Sequence, residues 1–239
     1  MRPWLKGKRD LSSLDDLNRV DLDLIKSDDL DKDDPNRRDD VMIWLGVNHK
    51  LPFHEIALSE NKILGFNESW ELNRDYYKKA INIAYEYDGS SLDHEDRADI
   101  LDQLKEPPNV SHPIYIITIE SADVQRVVYV GKTSSDNSRF KSGHSAAIKL
   151  LDPIYKDYDK YIYVCQVMLY SEKLGSYLPL EFVGVRKTAE DILDDIESKL
   201  INNFKPVLNS QKTKSFVLVY DFTLNINNET DLVFSHSAL

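Results

Sequence analysis

The residue with the strongest claim to chemistry in this sequence is Glu197. It lies in TAEDILDDIESKLINNF, residues 188–204, where apolar side chains recur at helical spacing. A step of about 100° per residue puts Glu197 between Phe204 and Ile201 on the helix surface, with Leu193 and Leu200 one turn away on either side. A carboxylate there is partly desolvated, which is costly unless a cation, a metal ion or a hydrogen-bond donor compensates, or the side chain reaches the boundary with water. Its acidic neighbours read differently. Asp191 and Asp195 fall outside the apolar arc and Asp194 falls near its edge, so a solvated face is expected for all three. Glu190 shares the angular position of Glu197 but sits in the first turn, where a carboxylate reaches water and favours the helix dipole.

Other residues capable of chemistry carry less. Cys165, the only cysteine, lies inside the apolar run KYIYVCQVMLY, so it reads as a buried strand residue and not as part of a disulfide framework or zinc site. The run DDLDKDDPNRRDD spaces Asp29, Asp31 and Asp33 like the opening of a calcium loop. Asp34, however, occupies the position where such a loop needs glycine, and a solvated linker is expected. His49 and His54 lack a metal-ligand spacing. Trp4, Trp44 and Trp70 could stack on bases, although core packing is the commoner use of tryptophan.

The elements that must position Glu197 change character along the chain. The first half reads as helical: SSLDDLNRVDLDLIKS, then NESWELNRDYYKKAINIAYEYDG with Asn67 and Gly89 at its ends, then LDHEDRADILDQLKE, which stops at Pro107-Pro108. That double proline marks the expected boundary between residues 1–108 and 109–239. Beyond it, PIYIITIE and QRVVYVG form an expected hairpin, KYIYVCQVMLY a third strand and SFVLVYDFT a fourth. A helix over approximately 138–151 and the 188–204 helix, started by Thr188 and Asp191, interrupt them. The order β-β-α-β-α-β predicts an α+β fold with a mostly antiparallel sheet.

Within that frame the sequence resembles the GIY-YIG nucleases over about residues 113–210. Pro113-Ile114-Tyr115 stands where the family has Gly-Ile-Tyr, and Tyr129-Val130-Gly131, followed by Lys132, stands where it has Tyr-Ile-Gly. Arg139 follows Tyr129 by ten residues, as in the excision-repair members; His144, Glu197 and Asn209 come next, with a Glu-to-Asn interval of twelve like that of restriction-enzyme members. Pro113 replaces the first glycine, which a strand start tolerates, and His144 follows Arg139 by five positions. The resemblance implies a small GIY-YIG-like sheet flanked by helices and an endonuclease that hydrolyses DNA phosphodiesters. It implies Glu197 as ligand of one Mg²⁺ or Mn²⁺, Arg139 clamping the non-bridging oxygens, and Tyr129 or Tyr115 taking the proton of the attacking water with Lys132 beside it. His144 would orient or relay that proton, and Asn209 would support the site by hydrogen bonding.

Composition sets the bounds. Of 239 residues 41% are hydrophobic and 30% charged, with no apolar run long enough to span a membrane and no secretory leader, so a cytoplasmic protein is expected. The net charge of −11 is unusual for a DNA-binding chain. It is concentrated early: residues 1–110 carry 25 acidic and 16 basic side chains, and 111–239 carry 16 and 14. The acidic N-terminal half is therefore expected to select a target or a protein partner, or to restrain the active site. Cutting both strands would call for a homodimer or two successive events. The expected setting is restriction or another defence against foreign DNA; the alternative is a non-catalytic binding protein built on the same frame.

Overall fold

Residues Ile114–Ser121 (β2) and Val124–Lys132 (β3) form the hairpin read from their alternation. In the computed structural model, which describes residues 41–56, 65–85, 93–122, 124–133, 144–171, 176–183, 185–211, 218–219 and 222–233, this hairpin is the outer part of a larger sheet. β4 (Asp159–Ser171) runs antiparallel to β2. The helix expected near residues 12–27 lies outside the described residues.

The N-terminal half is not helical throughout. Val41–Pro52 is a strand, β1, that pairs antiparallel with β4 and parallel with β6 (Phe222–Asn228). The sheet order is β3-β2-β4-β1-β6, with short β5 (Ser176–Pro179) also paired to β4. The fold is thus α+β on a mixed sheet. The boundary expected at Pro107-Pro108 does not separate β1 from the strands that follow it. The reason is visible in VMIWLGV: Ile43, Leu45 and Val47 are fully buried at period two, while Met42, Trp44 and Gly46 face the other way. Of the expected strand SFVLVYDFT, Phe222 and Thr223 belong to β6, which runs on to Asn228, while residues 215–217 and 220–221 lie outside the described residues.

Helices cover the sheet unequally. α4 (Arg186–Phe204) lays Ala189, Ile192, Leu193, Ile196, Leu200 and Ile201 onto the face that carries Ile114, Ile116, Val130, Tyr163 and Cys165. It starts two residues before Thr188, at an N-cap position held by Val185. On the opposite face, α3 (Ser145–Lys149) packs with Tyr115, Ile117, Val128, Ile162 and Val164. α1 (Phe66–Tyr85) and α2 (His94–Leu104) correspond to the two helices read from 67–106, and α2 carries a capping box between Asp93 and Asp96. Among the described residues no helix is long and apolar enough to cross a membrane.

Two polar contacts fasten the N-terminal elements. Glu181, 1% exposed, accepts hydrogen bonds at one oxygen from Ser69 Oγ (2.8 Å), Ser111 N (2.6 Å) and Ser111 Oγ (2.6 Å), which joins α1 and the lead into β2 to the turn after β5. Charge-assisted bonds of this kind are what make a buried carboxylate tolerable. Nearby, the His112 ring packs 5.5 Å from that of His49 on β1.

Burial, with His49 beside it, pulls the His112 imidazole down from 6.5 to about 4. The unfolded chain therefore takes up a proton near pH 6.5 that the folded state refuses until about pH 4. This contribution to stability is whole above pH 6.5 and is lost as pH falls through that window. Urea titrations from pH 7 to 4 are expected to show His112→Gln less pH-sensitive than wild type by roughly 1–3 kcal/mol across the window. Parallel stability curves for the two proteins would contradict this.

Candidate active site

The site begins with a glycine. Tyr115 and Gly131 are register partners across the β2–β3 ladder. A Cβ on Gly131 would stand 2.4 Å from Tyr115 Oη, 2.5 Å from its Cζ and 2.7 Å from Tyr129 Cε1, so only glycine lets the Tyr115 ring lie across this outer strand. A register shift between Ile117 and Thr118 leaves Val128 as an extra residue on β3. It turns both Val128 and Tyr129 toward the α3 face. The rings of Tyr115 and Tyr129 consequently stack with centroids 6.0 Å apart and planes 22° off parallel.

His144 completes this group from the other side. It is the N-cap of α3, its Nδ1 accepting the Ala146 backbone N–H at 3.2 Å, and its Nε2 lies 2.7 Å from the Tyr115 hydroxyl. The imidazole stands edge-on to both tyrosine rings, 5.7 Å from Tyr115 and 5.2 Å from Tyr129. Because Nδ1 accepts, the proton of a neutral imidazole must reside on Nε2, which makes His144 the donor and the Tyr115 oxygen the acceptor. Tyr115 is 1% and His144 3% exposed, while Tyr129 remains partly open to solvent. The helix expected from about residue 138 begins, among the described residues, only after His144. His144 is thus aimed by its capping role.

A second group approaches from the α4 side. Lys132 pairs with Ile114, whose side chain belongs to the α4 face, and its ammonium bridges to Asp194 at 2.7 Å. The sequence reading put Lys132 beside the tyrosine oxygens; strand alternation sends it instead to the face opposite the Tyr115 ring. Asp194 is accordingly a partner of β3 and not simply a solvated residue. Glu197 follows it by three positions, about one turn along the same helix. It is half-buried between the buried residues Leu193, Leu200 and Ile201, as its helical position requires. Asp195 corrects the expectation of a solvated face: it is 4% exposed, and its carboxylate accepts the Val219 backbone N–H at 2.9 Å.

Asn209 closes the outer edge of the sheet. Its amide accepts from Val130 N (2.9 Å) and donates to Val130 O (2.8 Å), and the neighbouring Leu208 N donates to Val128 O (2.9 Å). The side chain thereby does for β3 what a further strand would do, satisfying backbone groups that an edge leaves open. This holds the Tyr129-Val130-Gly131 segment in place.

Of the seven residues singled out in the sequence, the structure brings Tyr115, Tyr129 and His144 into one contact set and fixes Asn209 to the strand that carries Tyr129. Lys132 and Glu197 are on the α4 side, where α4 packs against β3. Arg139 lies outside the described residues. Sequence reasoning missed the steric need for Gly131 and the pairing of Asp194; the lysine following the glycine, with a carboxylate near the apolar arc of the helix, was the available signal for the latter. Among the described residues no cluster of three or more His, Cys, Asp or Glu could hold a metal ion. A single half-buried carboxylate still suits a hard cation that keeps most of its water ligands, so Glu197 fits Mg²⁺ or Mn²⁺ better than a fully dehydrated ion.

Gly131→Ala is expected to push the Tyr115 ring off the strand and break its bond to His144. The expected cost is roughly 1–3 kcal/mol in urea unfolding, in line with other overpacked core positions, together with a changed His144 ring environment by NMR. Unchanged stability with an unchanged imidazole signal would show that the ring has room to spare. Compared with family models, with curated proteins and with solved structures, the chain finds no match.

Proposed function

We propose that this chain is a metal-dependent endonuclease of the GIY-YIG type that hydrolyses DNA phosphodiester bonds. The observation that carries the reading is the buried Tyr115–His144 hydrogen bond laid over Gly131. It unites positions from two strands and a helix cap that the resemblance marks independently. The antiparallel trio β3-β2-β4, with α3 and α4 on opposite faces, also has the element order that the resemblance implies.

Phosphodiester hydrolysis needs a deprotonated water in line with the leaving oxygen, and compensation for charge on the phosphoryl group. Tyr129 is the phenol open to such a water, because Tyr115 is enclosed. Tyr115 and His144 hold its ring from two sides, and the Nε2–H of His144 is placed where negative charge on the Tyr115 oxygen would need a donor. Bound at Glu197, Mg²⁺ or Mn²⁺ would neutralise a phosphoryl oxygen and assist departure of the 3′ oxygen. Lys132 steadies the turn of α4 next to Glu197 by its bridge to Asp194. Arg139 keeps the phosphate-clamping role that the resemblance gives it. Restriction or another defence against foreign DNA is the setting this activity suits, with the N-terminal segment selecting target or partner.

The charge of −11 favours a second reading, a binding protein for a basic partner that retains the frame without cutting. Plasmid nicking with Mg²⁺ or Mn²⁺ separates the two. Under the nuclease reading Glu197→Ala lowers the rate by about 100-fold or more, as loss of a group stabilising transition-state charge does elsewhere, and a chelator abolishes nicking. Equal rates in both proteins would remove Glu197 from the mechanism. No nicking across varied DNA substrates and metals would favour the binding role.

A further inference from the structure

The candidate site shares its sheet face with a surface that the mechanism does not use. Tyr115 pairs with Val164 on β4, and the next positions of β4 on the same face are Gln166, Met168 and Tyr170. Met168 pairs with Trp44 on β1, and Tyr170 with Tyr177 on β5. Tyr177 is the hub: its ring centroid lies 4.8 Å from Trp44 and 5.1 Å from Tyr170. All three aromatic residues remain partly exposed, although nearly every residue directly behind them is buried. Amides border them, since Asn225 pairs with Trp44, and Asn227 with Gly46.

The composition of this face selects its occupant. The same-face positions run from Met42 to Gly46, from Gln166 to Tyr170, from Tyr177 to Pro179 and from Thr223 to Asn227. None of these positions is charged, in a chain with 41 acidic residues, and the one carboxylate the hydrogen bonds place at their margin is that of Glu229, which accepts from the Asn227 and Asn48 amides. A basic protein partner would be met by carboxylates at the rings themselves, where Met168 and Pro179 stand instead. Aromatic rings interleaved with amides instead suit unpaired bases, which stack on the rings and offer their edges to Asn and Gln. A duplex keeps its bases stacked on one another and cannot use such a surface.

The geometry points to Trp44, Tyr170 and Tyr177 as a stacking platform for single-stranded DNA, continuous along β4 with the tyrosine–histidine group. It deepens the nuclease reading and rests on it: the preferred substrate would carry an unpaired segment next to the bond that is cut. Since none of the described same-face positions is a cation, its affinity depends on bases more than on phosphates and falls by less than about tenfold between 50 and 200 mM salt.

The test uses the full chain, metal-free to prevent cleavage, and a fluorescent 20-nucleotide dT strand, with an abasic strand of equal length, an rU strand and a duplex as comparisons. Tyr170→Ala and Tyr177→Ala are each expected to weaken dT binding by about tenfold, with thermal unfolding and far-UV CD showing that both variants fold. Trp44→Phe, which keeps a ring, is expected to stay within about threefold of wild type, and the abasic strand and duplex to bind more weakly than dT. Equal dT affinity in the tyrosine variants and wild type, equal binding of the abasic strand, or binding of rU without dT would overturn the platform. A shift of the tyrosine variants from dimer to monomer in sedimentation, with dT binding unchanged, would do the same by assigning the face to a second copy of the chain. Wild-type plasmid nicking, measured in parallel with Mg²⁺, keeps the two ideas apart. Nicking without platform-dependent dT binding sinks the platform alone, whereas neither nicking nor dT binding sinks both.

Discussion

Because Gly131 lacks a side chain, the Tyr115 ring can cross the outer strand with its oxygen where a Cβ would otherwise stand. Three other features depend on that close approach. Tyr129 stacks on the ring so placed, His144 meets its hydroxyl, and α3 starts where His144 caps it. An edge strand thinned by glycine would ordinarily be weak, with no side chain to pack and open backbone groups. Here the tyrosine ring covers the glycine from one side and the Asn209 amide engages the neighbouring Val130 backbone. The same contacts that assemble the candidate site therefore also stabilise the sheet where it is most vulnerable.

The rest of the fold holds this edge in register. β4 is central, contacting β2 with one half of its length and β1 along most of it, so the N-terminal segment takes part in the sheet that carries the site. At the far end of that sheet Lys50 of β1 bridges Glu120 of β2 and Asp231 near the C-terminus, each at 2.7 Å. The Tyr163 hydroxyl of β4 reaches the same two carboxylates at 2.8 Å and 2.7 Å. This network joins three strands and the segment after β6. A partly buried network of this kind contributes more than an isolated surface pair, because loss of one member strands the others.

Local pattern made the hairpin, β4, the two helices of 66–104 and the long α4 legible in the sequence, since each has a sustained period or a cap of its own. β1 was missed because its alternation lies between an acidic stretch and two strong helices, and nothing local announces that its partners are more than a hundred residues away. The half-burial of Glu197 followed from helical spacing alone. That of Asp195 did not: its angular position says solvent, yet the chain returns at Val219 to bond its carboxylate. Likewise, the ordered motif residues named Tyr115, Tyr129 and His144, but the donor–acceptor sense of the Tyr115–His144 bond emerged only when His144 proved to be a helix cap. Lys132 shows the limit of motif order, because one step along a strand reverses the face to which a side chain points.

In the proposed nuclease, the tyrosine–histidine group on one face and Glu197 on the helix over the other would serve one phosphate at the outer edge of the sheet. Crystals of the full chain grown with Mn²⁺ and a short DNA test this most directly through the anomalous signal of the metal. The proposed mechanism predicts a single strong peak held directly by a Glu197 carboxylate oxygen, with a DNA phosphate close to both the metal and Tyr129. A peak held by other residues, or a Glu197 carboxylate turned away from the phosphate and from both tyrosines, would contradict it.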